Sequence, residues 1–481
     1  MSARRSLVGA SRRFVLSGAL LAALAAGGCV NLAPDYLRPP AAIPEGWKPG
    51  VQPVAGAVDT PAPLLAWRDF FLDDRLRQVV ERALDNNRDL RVAALAIERA
   101  RAQYGVQRAN LFPTVSATGA ATRARTPADL TASGRSILQN QLTATVGFAA
   151  YELDLFGRIA NLNDAALQAY LSLAETRRSV QISLLSDVAN AWLTLAADQR
   201  RLRLAQDTLR SQQASYDLTV KARDIGAESG LTLAQARTTV DSARSDVAAY
   251  SRAAAQDRNA LTLLVGAAVP DELLPAIDEG LRPVTPLVSV PEGLPSELLQ
   301  SRPDVLAAER TLQAANANIG AARAAFFPRI SLTSSAGSGS RELSRLFEGG
   351  NGSWSFAPQI SIPIFTAGAL QSSLDVVRLT RDINVAQYDK SVQVAFREVS
   401  DALDARATLG EQLDAQRSLR DASATAYRLS QERYRTGIDS YLDTLVTQRS
   451  LYAAGQTLIT LELAEQANRL TLYKTMGGGG G

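Results

Sequence analysis

The chain spells one pattern twice, and that duplication limits its fold more than any other feature. Asp89 to Thr118 aligns without a gap on Asp304 to Thr333, matching Asp89 with Asp304, Gly105 with Gly320, Arg108 with Arg323, Phe112 with Phe327, Pro113 with Pro328 and Ser116 with Ser331. A later stretch repeats as well, pairing Tyr216 with Tyr427, Leu218 with Leu429, Gly226 with Gly437, Ser229 with Ser440, Leu231 with Leu442, Leu261 with Leu472 and Gly266 with Gly477. Each half is one supersecondary unit, expected to run helix, strand pair, very long helix, tight turn, long helix.

Boundaries follow from that reading. A leader covers 1–28 and a Pro-rich extended segment 29–75. The first repeat is 76–266, with a strand pair at 113–155 and a helical hairpin at 156–266 whose tip falls near 226. A linker over 267–296 carries Pro270, Pro275, Pro283, Pro286, Pro291 and Pro295. The second repeat is 297–476, with a strand pair at 328–365 and a hairpin at 366–476 whose tip falls near 437; a Gly tail, 477–481, ends the chain.

The helices carry a coiled-coil seam. Ala236, Val240, Ala243, Val247, Tyr250, Ala254, Leu261 and Leu264 follow steps of three and four, interrupted at Asp257, and Val188, Leu195, Leu202, Leu209 and Tyr216 follow steps of seven. No Pro occurs between Ile159 and Asp224, so one uninterrupted helix of roughly 100 Å is expected there. Gly226 and Gly437 are expected to turn the chain at the tips, where a left-handed residue is needed.

Strands take over where Leu111-Phe112-Pro113 and Phe326-Phe327-Pro328 stop a helix, with Pro expected at the first strand position. Trp354 to Ile364 alternates apolar with small or polar residues at period two, while its copy, Leu142 to Leu155, alternates less cleanly. The intervening stretches 123–139 and 337–352 have the Gly, Ser and Arg content of surface loops. Four strands are too few for a membrane barrel, which needs about eight. Unpaired edges are not tolerated in lipid, so several chains must pool their strands.

The first 28 residues hold Arg4, Arg5, Arg12 and Arg13, then an apolar run, and resemble a signal peptide. Their removal turns the formal charge of +3 slightly negative, which leaves no electrostatic case for a nucleic-acid partner. Ala26-Gly27-Gly28-Cys29 resembles a lipobox, making Cys29 the expected lipidation site. Ser11-Arg12-Arg13-Phe14 also looks like a twin-arginine signal, but a barrel must reach its membrane unfolded. Past the leader no run is expected to reach the ~20 apolar residues of a spanning helix. The chain has 0 His and 1 Cys, which excludes Ser-His triads, Cys-His pairs and His/Cys metal sites. A glycan-cleaving carboxylate pair stays open in principle, though the acids sit singly on helical faces. A purely structural coiled-coil spacer would leave the alternating strands unexplained.

Arg302-Pro303-Asp304-Val305, Phe326-Phe327-Pro328, Leu153-Asp154-Leu155-Phe156-Gly157-Arg158 and Tyr434-Arg435-Thr436-Gly437, followed by Ser440, Leu442 and Asp443, resemble in order and spacing the TolC-like outer-membrane efflux proteins, in the lipoprotein branch serving RND-type pumps. The resemblance implies a mainly α chain with a membrane β-barrel portion: a homotrimer forming a 12-stranded β-barrel continued by a 12-helix tunnel into the periplasm. It implies a passive exit duct for drugs and small toxic compounds, not an enzyme. The duct would be anchored in outer-membrane lipid and work with a periplasmic membrane-fusion adaptor and, through it, an inner-membrane RND transporter. No cofactor is implied beyond the covalent lipid on Cys29. An outer-membrane duct of a protein (type I) or heavy-metal export system is the alternative. By the same resemblance Asp443 belongs to a carboxylate ring at a periplasmic gate, while the second acidic position of the pattern falls on Val446. Asp439, Glu228 and Thr232 would supplement that ring, and Tyr434 and Arg435 would tie neighbouring hairpins together.

Overall fold

The computed structural model describes residues 30–40, 43–44, 58–61, 65–276, 284–286, 288–289 and 299–478. The expected leader, Cys29, much of the linker and the last residues of the Gly tail lie outside them. In chain order the elements are β1 (Val58–Pro61), α1 (Trp67–Phe70), α2 (Asp74–Asn86), α3 (Arg88–Ala109), β2 (Val115–Thr126), β3 (Ile137–Leu153), α4 (Arg158–Asp224), α5 (Gly230–Val265), β4 (Val288–Ser289), α6 (Pro303–Ala324), β5 (Arg329–Ser340), β6 (Gly352–Ser361), α7 (Ala369–Arg435) and α8 (Tyr441–Thr475). The two longest helices have 67 residues each.

The chain divides into two compact units, each drawing on both repeats. The first, which takes in Ile97–Ser172 and Ala308–Tyr388, is built on an antiparallel four-stranded sheet ordered β2-β3-β5-β6. Its register sorts the side chains onto two faces. Ala117, Val146, Ala336 and Trp354 share one row, and Val115, Phe148, Ser334 and Phe356 the next. On the opposite face Thr118, Thr145 and Gly337 pair with Ser353, and Ser116, Gly147 and Ser335 with Ser355. One face is thus largely apolar, with Trp354 81% exposed, and the other is a field of Ser, Thr and Gly.

The register shifts between Phe148 and Tyr151, where Ala150 takes a positive φ of 53° and its N–H donates to Thr333 Oγ1 at 3.1 Å. The extra residue puts Tyr151 back on the face of Phe148, and their rings meet edge to face at 6.4 Å. Expected loops at 123–139 and 337–352 prove shorter: β2 runs to Thr126, β3 starts at Ile137, β5 runs to Ser340 and β6 starts at Gly352. Polar side chains do not prevent backbone ladders from continuing toward the hairpin ends. Pro113 and Pro328 fall just ahead of β2 and β5 rather than inside them. Pro358 sits within β6, an edge strand, where a missing N–H costs least. Among the described residues the outer edges of β2 and β6 have no ladder partner.

Two of the motifs quoted above pack together where strands meet helices: the rings of Phe156 and Phe327 stack at 4.6 Å. Glu152 binds there too, accepting from Arg158 Nε and Nη2, each at 2.7 Å, and from Arg329 Nη2 at 2.5 Å. The segment from residue 30 to 40 has no regular secondary structure, yet it is tied down specifically. Val30 N–H donates to Leu155 O at 3.1 Å, Asn161 Nδ2 to Asn31 Oδ1 at 2.8 Å, and Arg38 Nη2 to Glu309 Oε2 at 2.7 Å.

The second unit takes in Pro40–Ala96, Leu173–Ala307 and Asp389–Gly481. The seam residues Val188, Leu195, Ala236, Val240, Ala243 and Leu261 are buried there. Phe70 stacks on Tyr473 at 3.8 Å, and the Tyr473 hydroxyl donates to Leu65 O at 2.8 Å. The expected linker contributes β4, which pairs in parallel with β1. The repeat shows in detail: Asn87 Nδ2 donates to Leu264 O at 2.7 Å, and its counterpart Arg302 donates to Thr475 O at 2.8 Å, one return-helix end being held by an amide and the other by a guanidinium.

One expectation is corrected. α4 contains an 18-residue window of mean hydropathy 1.2, enough by length and composition to cross a membrane, of which 56% is buried. Its apolarity is that of a core helix, since Leu184, Leu185, Val188, Ala189, Trp192, Leu193 and Leu195 are buried.

Candidate functional site: the hairpin tips

Both tips belong to the second unit and are closed by the same local code. α4 ends at Asp224 and Gly226 takes a φ of 78°, while α7 ends at Arg435 and Gly437 takes a φ of 76°. Each turn then enters the return helix through a serine cap. Ser229 Oγ accepts the Thr232 N–H at 3.0 Å and lies 3.0 Å from the Thr232 hydroxyl, so Ser229 is the cap and Thr232 its partner. Ser440 does more: its Oγ accepts the Asp443 N–H at 3.4 Å, and Asp443 Oδ2 accepts from Ser440 N–H at 3.3 Å and Ser440 Oγ at 2.7 Å. This reciprocal pair is a capping box. The Asp443 carboxylate is thus turned onto its own helix start, where the positive end of the helix dipole favours it.

Asp439 is held by Arg433, with Nε at 2.6 Å from one carboxylate oxygen and Nη2 at 2.7 Å from the other. That hydrogen bond, with the charge behind it, keeps the Asp439 carboxyl below its ordinary range. Glu228 accepts a hydrogen bond at 3.2 Å from the Tyr434 hydroxyl, so one tip reaches the other within a single chain. Burial, and then the Glu228 charge, push the Tyr434 phenol up. Arg435 is exposed and has no ion pair among the described residues; Val446 is exposed as well.

Beneath these polar groups lies a cluster from all four long helices. Ala236, Tyr441 and Leu445 are buried, Tyr216 and Tyr434 pack against them, and the rings of Tyr434 and Tyr441 lie 5.3 Å apart. Burial, followed by the nearby Tyr434, pushes the Tyr441 phenol up to about 12, so it stays neutral. A cleft of about 520 Å³ opens beside the cluster, lined in part by Glu228, Thr232, Tyr434, Arg435 and Asp439.

The structure therefore brings Glu228, Thr232, Tyr434, Arg435 and Asp439 around one cleft, while Asp443 stands at the adjoining helix start, engaged in capping. Arg433 and Tyr441 are additions that the sequence reading did not single out. The Ser440-x-x-Asp443 spacing is a capping signature that was available to find the role of Asp443; nothing local marks Arg433 as the partner of Asp439. Among the described residues no group of three or more His, Cys, Asp or Glu converges as metal ligands would.

Comparison with known proteins gives a consistent picture. A family model described as outer membrane efflux protein matches residues 79–267 and 294–478, the two repeats. An antibiotic efflux pump outer membrane protein, ArpC, and a toluene efflux pump outer membrane protein, TtgC, both from Pseudomonas putida, are each 50% identical over 94% of this chain and 93% of their own length. A membrane protein of Pseudomonas aeruginosa superposes with a TM-score of 0.86 at 41% identity, covering 93% of this chain and 100% of its own.

Proposed function

We propose, from the premise that this chain belongs to the outer membrane efflux protein family, that it is the exit duct through which a tripartite RND-type pump discharges antibiotics and organic solvents. The protein is an outer-membrane efflux channel, a passive conduit and not an enzyme. It works as a trimer, with an adaptor and an inner-membrane transporter supplying the rest of the pump.

The observation that carries the reading is the two-faced sheet. A strand array with Trp354, Phe356 and Ile360 exposed on one side, and Ser, Thr and Gly rows on the other, suits lipid outside and water inside. Its two open edges suit closure by further copies, and twelve strands follow from three chains. Helices of 67 residues, roughly 100 Å long at ~1.5 Å per residue, suit a passage through the periplasm. Cargo follows from likeness to the antibiotic and toluene pump proteins.

Three finer points belong to the same proposal. Cys29 carries the lipid; what supports this is that the next residue, Val30, is hydrogen-bonded to Leu155 just past the end of β3, so the modified residue directly precedes a segment fixed beside the sheet. The tips act as the gate, with Tyr434–Glu228 and Arg433–Asp439 as its ties. The adaptor engages the tips, where Ile225, Leu231, Ile438 and Leu442 are exposed and gain from being covered.

The test is to reconstitute the purified trimer in planar bilayers and to delete the gene in cells expressing the pump. Ion-conducting channels and heightened sensitivity to several unrelated compounds are expected. A protein that carries no current, with unchanged susceptibility in the deletion strain, would sink the proposal.

A further inference from the structure

The apolar face of the sheet ends in cations. Following the register up β2, the residues on the face of Trp354 are Val115, Ala117, Gly119 and Ala121, and then Arg123 and Arg125, which pair with Asn140 and Leu138. Both arginines are exposed. Among the described residues neither has a carboxylate partner; Arg125 donates to Ser136 Oγ at 3.3 Å, a neutral acceptor. No acid occupies that face in any of the four strands, because Glu152 is offset by one position from Tyr151 and Leu153 and therefore points to the Ser/Thr side.

Depth decides what these charges meet. On the channel reading just proposed, β2 rises from its periplasmic end near Val115 toward the outside. At ~3.4 Å per residue along the strand and a tilt of about 40°, Arg123 lies ~21 Å and Arg125 ~26 Å above Val115. The apolar band of such barrels is about 25 Å tall. A guanidinium facing lipid is costly at mid-bilayer and cheap only near the interface, so this pair falls at the level of the outer-leaflet headgroups.

We propose that Arg123 and Arg125 form, on the lipid-facing surface at the outer rim of the sheet, a binding site for the phosphate groups of the phosphorylated glycolipid that makes up the outer leaflet. The proposal rests on the channel reading. A guanidinium presents paired donors that match phosphate oxygens, and two of them two residues apart stand on the same face. Three copies place three such sites around the barrel. The lipid so held packs against Ala121 and Leu142, the neutral pair directly below the arginines in the same register, where its acyl chains belong.

The experiment is native mass spectrometry of the detergent-solubilised trimer titrated with diphosphoryl lipid A, with dephosphorylated lipid A, and with inorganic phosphate as competitor. The wild-type trimer is expected to bind the diphosphoryl form at least tenfold more tightly than the dephosphorylated one, up to three copies per trimer, with inorganic phosphate a poor competitor. The R123Q/R125Q variant should lose that preference, and R123K/R125K, which keeps the charges, should retain most of it. Equal binding of the two lipids by wild type, or an undiminished preference in R123Q/R125Q, overturns the proposal. Displacement by millimolar inorganic phosphate overturns it too, because the site would then recognise free anion and not lipid. Single-channel current is recorded on the same samples: loss of current in wild type counts against the channel reading, whereas current with no lipid preference counts against this site alone.

Discussion

The Tyr434 hydroxyl donates to the Glu228 carboxylate at 3.2 Å, and this bond joins the tips of two hairpins that lie 206 residues apart in the sequence. Tyr434 also rests its ring on Tyr441, so removing the hydroxyl alone separates the tie from the packing. Tyr434→Phe should loosen the tips without unfolding them. A hydrogen bond to a charged group contributes about 1.5 kcal/mol or more, so the open fraction of a two-state gate should rise by roughly tenfold. Single-channel recordings of wild type and Y434F in the same bilayer would show it; indistinguishable open probabilities would remove Tyr434–Glu228 from the gate.

Asp443 allows two roles to be told apart. As a cap it stabilises the start of α8, and Asp443→Ala should cost about 1 kcal/mol, read as a lower melting temperature of the trimer. As a member of a charged ring it would also set ion selectivity, and Asp443→Asn should then reduce the preference for K⁺ over Cl⁻ in reversal-potential measurements. With its carboxylate held by Ser440, the larger effect is expected on stability. The converse change, Val446→Asp, puts a carboxylate on an exposed position one turn along the helix and should raise cation selectivity.

A carboxyl at the place where the seam is interrupted makes stability depend on pH. Asp257 has one carboxylate oxygen buried without a hydrogen-bond partner. Burial first, then the charge of Asp198 on the facing helix, push it from 3.8 up to about 6, against the opposing pull of Arg201. A raised pKa means that the folded state prefers the protonated acid, so the favourable contribution is complete below about pH 4 and is lost as pH rises through 6. Asp257→Asn should therefore raise the melting temperature at pH 7.5 and change little at pH 4. The second repeat already makes that exchange: Asn468 stands at the matching position and donates to Ala402 O at 2.9 Å.

Arg302 is buried, ion-paired to Asp304 at 2.7 Å and Glu398 at 2.9 Å, and hydrogen-bonded to Thr475 O. Arg302→Met takes from two partly exposed carboxylates and a helix-end carbonyl the donor that they share and should destabilise the folded protein by about 1 to 2 kcal/mol. Arg302→Asn, which copies the first repeat, should not recover this loss, because the shorter side chain cannot reach both acids. Melting of the two variants, with trimer content followed on gels, would measure the difference.

Much of this architecture was legible in the sequence for physical reasons. Repeated residues at Phe112 and Phe327, or Gly226 and Gly437, announce repeated turns, and the Pro-free stretch after Arg158 announces a continuous helix. β6 alternates cleanly because it has no bulge, whereas β3 reads poorly because Ala150 adds a residue and the parity of its faces switches between Phe148 and Tyr151. The tip was legible as a set of residues and not as a set of bonds. Tyr434–Glu228 depends on how the two hairpins face each other, Arg433–Asp439 on how the tip folds back over six residues, and Arg38–Glu309 joins residues separated by 271 positions; none of these carries a recognisable sequence signature.

The unpaired outer edges of β2 and β6 have a genetic consequence. Strand directions alternate across the sheet, so the β2 edge of one copy fits the β6 edge of the next, and every subunit fills two seams of a closed ring. A copy whose β6 edge is spoiled therefore stalls the whole ring, including its intact partners. Expressed beside the normal allele, such a subunit should act as a dominant poison of efflux, its potency growing with the third-order statistics of mixing three chains.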